Sequence, residues 1–186
     1  VSSVYDYQTV AAERSGVHFA LGREATLDDL ISHRPDGVIL ATGSTMIRPT
    51  WLPEDIHAEG WVTDLRITMA NVLLHSGLQS GATESGTAVI YDTDHSEVVY
   101  AAAEALNARF TKTVIVTPSD TIATDVPLVN RQGIIRRMAE QKIELVTLSE
   151  PVWNDDVADG KLALINIYNG NISTIEGLVI LTYASP

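Results

Sequence analysis

From Gly86 onward the chain alternates short apolar runs with longer stretches whose apolar positions recur at helical spacing. "TAVIY" predicts a strand. "EVVYAAAEALNARF" predicts a helix, with Val98, Ala102 and Leu106 in line along its apolar face. "KTVIVTP" reads as a second strand, and a connection of that length between two strands is a right-handed parallel crossover. "LVNRQGIIRRMAEQK" repeats the helical pattern, and "IELVTL" the strand. Then the period falls to two: "KLALINIY", the turn "NGN", and "STIEGLVILTY". Asn169-Gly170 between alternating runs is a hairpin signal, because both residues tolerate the left-handed backbone a tight turn needs.

The earlier part carries the same signals in weaker form. Tyr5 to Arg14 reads as a helix ended by Gly16, and "VHFAL" (17–21) as a strand. "TLDDLISH" predicts a short helix with Thr26 as its N-cap and acids in its first turn, where the helix dipole favours them. Pro35-Asp36 turns the chain, and "GVILATG" (37–43) predicts a buried strand ending in small residues. Residues 44–61, with Pro49 and Pro53, are irregular; "LRITMANVLLHSG" (65–77) is helical. The polar "LQSGATESG" (78–86) is the expected boundary between two units, 1–80 and 81–186. The fold class that follows is α/β: Rossmann-like three-layer units with parallel sheets, plus a β-hairpin or meander near the C-terminus.

Composition narrows the function classes. The chain has 186 residues and a net charge of -12, which argues against a nucleic-acid or anionic-membrane partner. It has no cysteine, so neither a disulfide nor a thiolate-held metal cluster forms within it. No apolar run approaches the ~20 residues that a bilayer span requires. The start lacks Met and a signal-peptide pattern, and the last residues stop just after an apolar run; we expect a piece of a longer protein.

Two motifs carry candidate chemistry. "ATGS" closes the strand at Ala41-Thr42-Gly43-Ser44; small residues there let a ligand or a neighbouring backbone approach, or simply suit a strand end. "DTDHSE" (92–97) stands where a nucleotide-binding unit has its glycine-rich turn, yet it has no glycine. One reading is a Mg²⁺-dependent phosphatase of the haloacid dehalogenase kind: Asp92 as nucleophile, Asp94 as acid/base, with Thr117, Lys142 and Asp155-Asp156 as partners. A calcium loop fails, because Ala103 stands where the twelfth-position Glu is required. The third reading is a solvated loop leading into a helix. The histidines, at 18, 33, 57, 75 and 95, are never at ligand spacing, and Trp51, Trp61 and Trp153 read as packing anchors. Asn171-Ile172-Ser173 matches a glycosylation acceptor but has no secretion signal to support it.

The ordered series "GVHFALGREAT", "PDGVILATGS", "GTAVIYDTDHSEVVYAAAEALNARFTKTVIVTPSD", "IIRRMAEQKIELV" and "LALINIYNG" resembles the C-terminal FAD/NAD-binding-like region of the trimethylamine dehydrogenase and 2,4-dienoyl-CoA reductase family, multidomain members of the old yellow enzyme group. The resemblance implies a cytoplasmic parent protein with an N-terminal barrel carrying FMN and a 4Fe-4S cluster. That parent would act on an amine or an enoyl-type substrate, with an electron-transfer flavoprotein or NAD(P)H as partner. It implies FAD or ADP in a first unit whose glycine-rich element lies outside residues 1–80. Glu24-Ala25 and Ala41-Thr42-Gly43-Ser44 match the cofactor-binding strand ends, and no cofactor is expected in this chain alone. Residues 81–186 match the NAD-binding-like unit, in the branch whose glycine-rich loop is replaced. A scaffold or docking domain that retains the fold without its nucleotide stays open beside these readings.

Overall fold

The computed structural model describes residues 2–54, 56, 61–76 and 84–185. It divides into two compact units at Gly43 and Ser44.

The first unit holds α1 (Ser2–Arg14) and α2 (Leu27–Ser32). Gly16 donates its N–H to Glu13 O, ending α1 where the sequence places the stop. The start of α2 is fixed by a capping box. Thr26 Oγ1 accepts from Asp29 N at 3.2 Å, and Asp29 Oδ2 accepts from Thr26 N at 3.0 Å, so two orphan donors are satisfied reciprocally. These bonds, with Arg23 alongside, hold the Asp29 carboxyl below its usual range. The two strands expected here do not form. Residues 17–21 and 37–43 form neither helix nor strand, and Ile39 is 93% exposed. A strand is stabilised by its ladder, and neither segment has a ladder partner among the described residues.

The second unit is built on five parallel strands in the order β1-β8-β2-β3-β4: β1 (Val62–Asp64), β2 (Glu84–Asp92), β3 (Phe110–Val116), β4 (Glu144–Val146) and β8 (Leu178–Ala184). Three antiparallel strands, β5 (Ser149–Val152), β6 (Lys161–Asn166) and β7 (Ile172–Glu176), form a separate sheet, with a 3-10 helix, Asp155–Asp159, between β5 and β6. Helices α3 (Leu65–Ser76), α4 (Glu97–Asn107) and α5 (Leu128–Glu140) connect the parallel strands. The α/β class and the C-terminal hairpin are as the sequence predicts; residues 167–171 make the turn between β6 and β7, with Gly170 at φ +71.

Alternation along β2 sets the layers. Ala88 and Ile90 pack with Val99, Leu106, Ile134 and Met138 from the helices, whereas Val89 and Tyr91 pack with Leu162, Leu164 and Ile175 from the antiparallel sheet. The parallel sheet is thus covered by helices on one face and by strands on the other. Of the expected line of Val98, Ala102 and Leu106 on α4, Ala102 and Leu106 are buried but Val98 is 63% exposed; the buried residues are Val99, Tyr100, Ala102, Ala103 and Leu106. Spacing alone admits either neighbour; burial selects Val99, because its side chain faces the sheet. Leu106 alone, wholly buried, contributes about 2 kcal/mol of hydrophobic stabilisation.

The expected boundary at 78–86 differs from the division at Gly43 and Ser44, and 77–83 lie outside the described residues. β1 is the reason: lying between the irregular stretch and α3, it pairs with β8, Val62 opposite Leu181, and brings α3 into the second unit. Two glycines shape the β2–β8 seam. Gly86 has φ +122, and a Cβ there would lie 2.2 Å from Val179 Cγ2. Gly177 has φ +70 and splits "STIEGLVILTY" into β7 of one sheet and β8 of the other.

Candidate functional site

From β2 the chain steps through α4 to β3 and through α5 to β4; after the antiparallel sheet it returns on the other side of β2, as β8. That reversal makes the carboxyl ends of β2 and β8 the switch point, where open α/β sheets place their ligands. A cleft of about 430 Å³ opens there. Leu65, Arg66 and Met69 of α3 line it, with Asp94, Ser96 and Val98 of the turn into α4, and Ser44 and Met46.

Each wall is fixed locally. Asp64 Oδ1 accepts from Arg66 N at 2.8 Å and Ile67 N at 3.0 Å, capping α3. The Arg66 guanidinium donates to Ser44 O, and to Ser44 Oγ at 3.0 Å. Ile47 N donates to Ser185 O at 2.8 Å, tying this segment to the end of β8.

The turn after β2 is organised around Asp92, which is wholly buried. Its Oδ1 accepts from Asp94 N at 3.0 Å and His95 N at 2.9 Å; its Oδ2 accepts from Tyr100 Oη at 2.8 Å. Tyr100 Oη in turn accepts from Ala123 N at 2.5 Å, linking α4 to the chain after β3. Burial pushes the Asp92 carboxyl above its ordinary range, with the bonds from His95 and Tyr100 opposing. Burial and the Asp92 charge together push the Tyr100 phenol up. The three donors that converge on the Asp92 carboxyl favour its charged form and so oppose the effect of burial. Asp94 is half-buried and accepts from the Ser96 hydroxyl.

This geometry does not suit the phosphatase reading. A carboxylate nucleophile must present a free oxygen to the phosphorus, and both Asp92 oxygens are engaged in the interior. Thr117 is buried and caps Ser119 N, Lys142 is exposed, and Asp155-Asp156 lie exposed on the 3-10 helix. Among the described residues no three His, Cys, Asp or Glu side chains converge to hold a metal.

Of the cofactor residues expected from the sequence, Glu24 and Ala25 are exposed beside the α2 cap, and Ala41, Thr42 and Gly43 are exposed at the end of the first unit. Ser44 opens the second unit, and the structure brings it to Arg66 on the cleft wall. Arg66, Met46 and Ser96, with Tyr100 beneath, are missed by motif reading. The signal that could have found Arg66 is the helix start "TDLR", where an Asp cap places the residue two positions on in the first turn. His33 Nδ1 contacts Asp29 O at 2.7 Å, and His57 lies outside the described residues. Trp51 meets Tyr91 edge-on at 5.5 Å, and Trp61 stacks on Trp153 at 5.9 Å, as packing anchors of the strand-covered face.

No family model and no curated protein matches the chain. Solved structures do. The chain is similar to 2-naphthoyl-CoA reductase (TM-score 0.68, 21% identity, 97% of this chain and 24% of that one). It is similar to the 6-hydroxypseudooxynicotine amine oxidase of Pseudomonas geniculata N1 (0.63, 16%, 86% and 23%). It is also similar to the histamine dehydrogenase of Rhizobium sp. 4-9 (0.53, 19%, 67% and 17%). The fold is one that these oxidoreductases carry. They fall in the group that the ordered motifs resemble, and at these identities the likeness is one of fold. The chain spans less than a quarter of the length of each.

Proposed function

We propose that this chain is a nucleotide-binding-like C-terminal module of a larger flavin oxidoreductase that acts on an amine or an enoyl-type substrate. In this reading catalysis belongs to an N-terminal barrel with FMN and a 4Fe-4S cluster, and the chain itself, having no cysteine, holds no part of that cluster. Residues 1–80 descend from an FAD- or ADP-binding unit and 81–186 from an NAD-binding one. The parent exchanges electrons with an electron-transfer flavoprotein or NAD(P)H and resides in the cytoplasm. The fold likeness over 97% of the chain supports the assignment.

The turn after β2 carries the claim that the second unit has lost its nucleotide. A dinucleotide pyrophosphate needs backbone N–H groups at the start of the helix after the first strand. Here Asp94 N and His95 N already serve the Asp92 carboxylate, an anion supplied from within. The residues of this turn do not fit NAD(P)H. A flavin or ADP adenylate in the first unit fits better: Glu24-Ala25 and Ala41-Thr42-Gly43 would hold it, and open space around Gly43 leaves room for close approach. When bound, that group would supply a recognition handle or an electron relay.

The test is calorimetric titration of the chain with NADH and NADPH, with and without Mg²⁺. Binding no tighter than millimolar is expected in both. Micromolar binding without metal overturns the reading of the turn, and tight binding only with Mg²⁺ restores the phosphatase alternative. The full-length parent should show a flavin absorption spectrum; a colourless parent overturns the oxidoreductase assignment.

A further inference from the structure

The turns after β2 and β3 meet at a contact that the nucleotide reading leaves without a role. His95 Nε2 lies 2.9 Å from Ser119 Oγ, and His95 Nδ1 faces Asp92 Oδ2 at 3.6 Å. His95 is only 8% exposed, and its Nδ1 is buried without a hydrogen-bond partner. Asp92 is immobilised by Tyr100 and two backbone N–H groups.

Charge decides the tautomer. A lone pair on Nδ1 would point at a buried carboxylate; a proton there is attracted to it. With the proton on Nδ1, Nε2 is the acceptor and the Ser119 hydroxyl the donor. That polarity turns a serine into a nucleophile. His95 holds φ +56, in the left-handed region that histidine enters more readily than most side chains. Ser119 is half-buried, and its backbone is pinned by Thr117 Oγ1, which accepts from Ser119 N at 3.3 Å.

We propose that Ser119 is an activated nucleophile that accepts short acyl groups from activated esters, with His95 as general base and Asp92 as the residue that positions His95. Ser119 Oγ bonds to the acyl carbon while its proton passes to His95 Nε2. The ester C–O bond breaks, and the leaving alkoxide or phenoxide takes that proton away. Water then gives a proton to His95 and bonds to the acyl carbon; the Ser119 Oγ–acyl bond breaks, Oγ takes the proton back from His95, and the carboxylic acid leaves. Ser119 stands outside the cleft lined by Ser44 and Arg66, so the acyl group is short and arrives from solvent.

The full chain treated with 4-nitrophenyl acetate should release nitrophenolate, and acid quench during the reaction should trap one acetyl group, found by peptide mass mapping on Ser119. Ser119→Ala should abolish that label. His95→Asn should slow it at least ~100-fold, the usual range of a general base; Asn accepts a left-handed backbone, so this variant keeps the turn. Circular dichroism confirms that each variant is folded. Labelling at another residue, labelling of His95→Asn at the wild-type rate, or no label on folded wild type each overturns the proposal.

Discussion

The two units contain nearly the same local signals and reach opposite outcomes. "GVILATG" (37–43) and "TAVIYD" (87–92) are comparable apolar runs with comparable ends. In the first, Ile39 and Leu40 are 93% and 79% exposed; in the second, every residue from Ala88 to Asp92 is buried. The difference is the ladder. β2 has β8 on one side and β3 on the other, and helices and a second sheet close its two faces. Capping makes the same point from the other direction. α2 has a complete capping box yet buries nothing, whereas α4, whose Ser96 makes no side-chain cap bond, buries five side chains. A cap fixes where a helix begins, while burial depends on the neighbour it finds.

The largest expected effect that would break this comparison is in proteolysis. Limited digestion followed by mass spectrometry should cut within 15–43 many-fold faster than within 84–185, because local opening is cheap where few groups are buried. Preferential cutting inside β2 to β3 would reverse the assignment. A matched leucine pair sharpens it next. Leu181→Ala should cost about 2–5 kcal/mol in denaturant unfolding, Leu181 being fully buried. Leu40→Ala should stay within about 0.5 kcal/mol. Comparable losses at the two positions would show that the first unit is packed after all.

Smaller again is Tyr100→Phe. The phenol bridges Asp92 Oδ2 and Ala123 N, and its loss strands both inside the protein. About 1–3 kcal/mol is expected, read as a lowered unfolding midpoint. The smallest effect is the pH dependence of Asp92. Burial raises its pKa in the folded chain, so the folded state holds that proton more tightly than the unfolded one. The stability this gives is fully present below the unfolded value, about 3.9, and is lost as pH rises through the folded value. Thermal melts should therefore show wild type losing ground to Asp92→Asn as pH increases from about 4 to 8. A gap that moves the opposite way contradicts a raised Asp92.

Sequence reading located what periodicity can locate. α3, α4 and α5 and the strands β2, β3 and β4 lie where the apolar spacing puts them. Its failures share a physical cause: each depends on a partner remote in sequence. β1 is three residues long, too short to leave a pattern, and exists because β8 lies beside it. The apolar run after Thr174 looks continuous, and one left-handed glycine divides it between sheets. At the site, the missing glycines in "DTDHSE" were legible, but that Asp92 turns inward to bind the loop's own N–H groups was not. Ser44 was found by motif, and Arg66, which holds it from across the cleft, carries no motif.

The position of β8 has a consequence for synthesis. It comes after β1 to β7 in the chain, yet it stands between β1 and β2, and no other strand among the described residues joins them. While the nascent chain ends before Leu178, β1 and α3 have no sheet to join, and β2 shows an open hydrogen-bonding edge to its surroundings. Vectorial folding therefore cannot proceed strand by strand here. The helices α4 and α5 can gather early on β2 and β3, but the sheet closes only once β8 has formed, and until then the edge of β2 is open to mispairing.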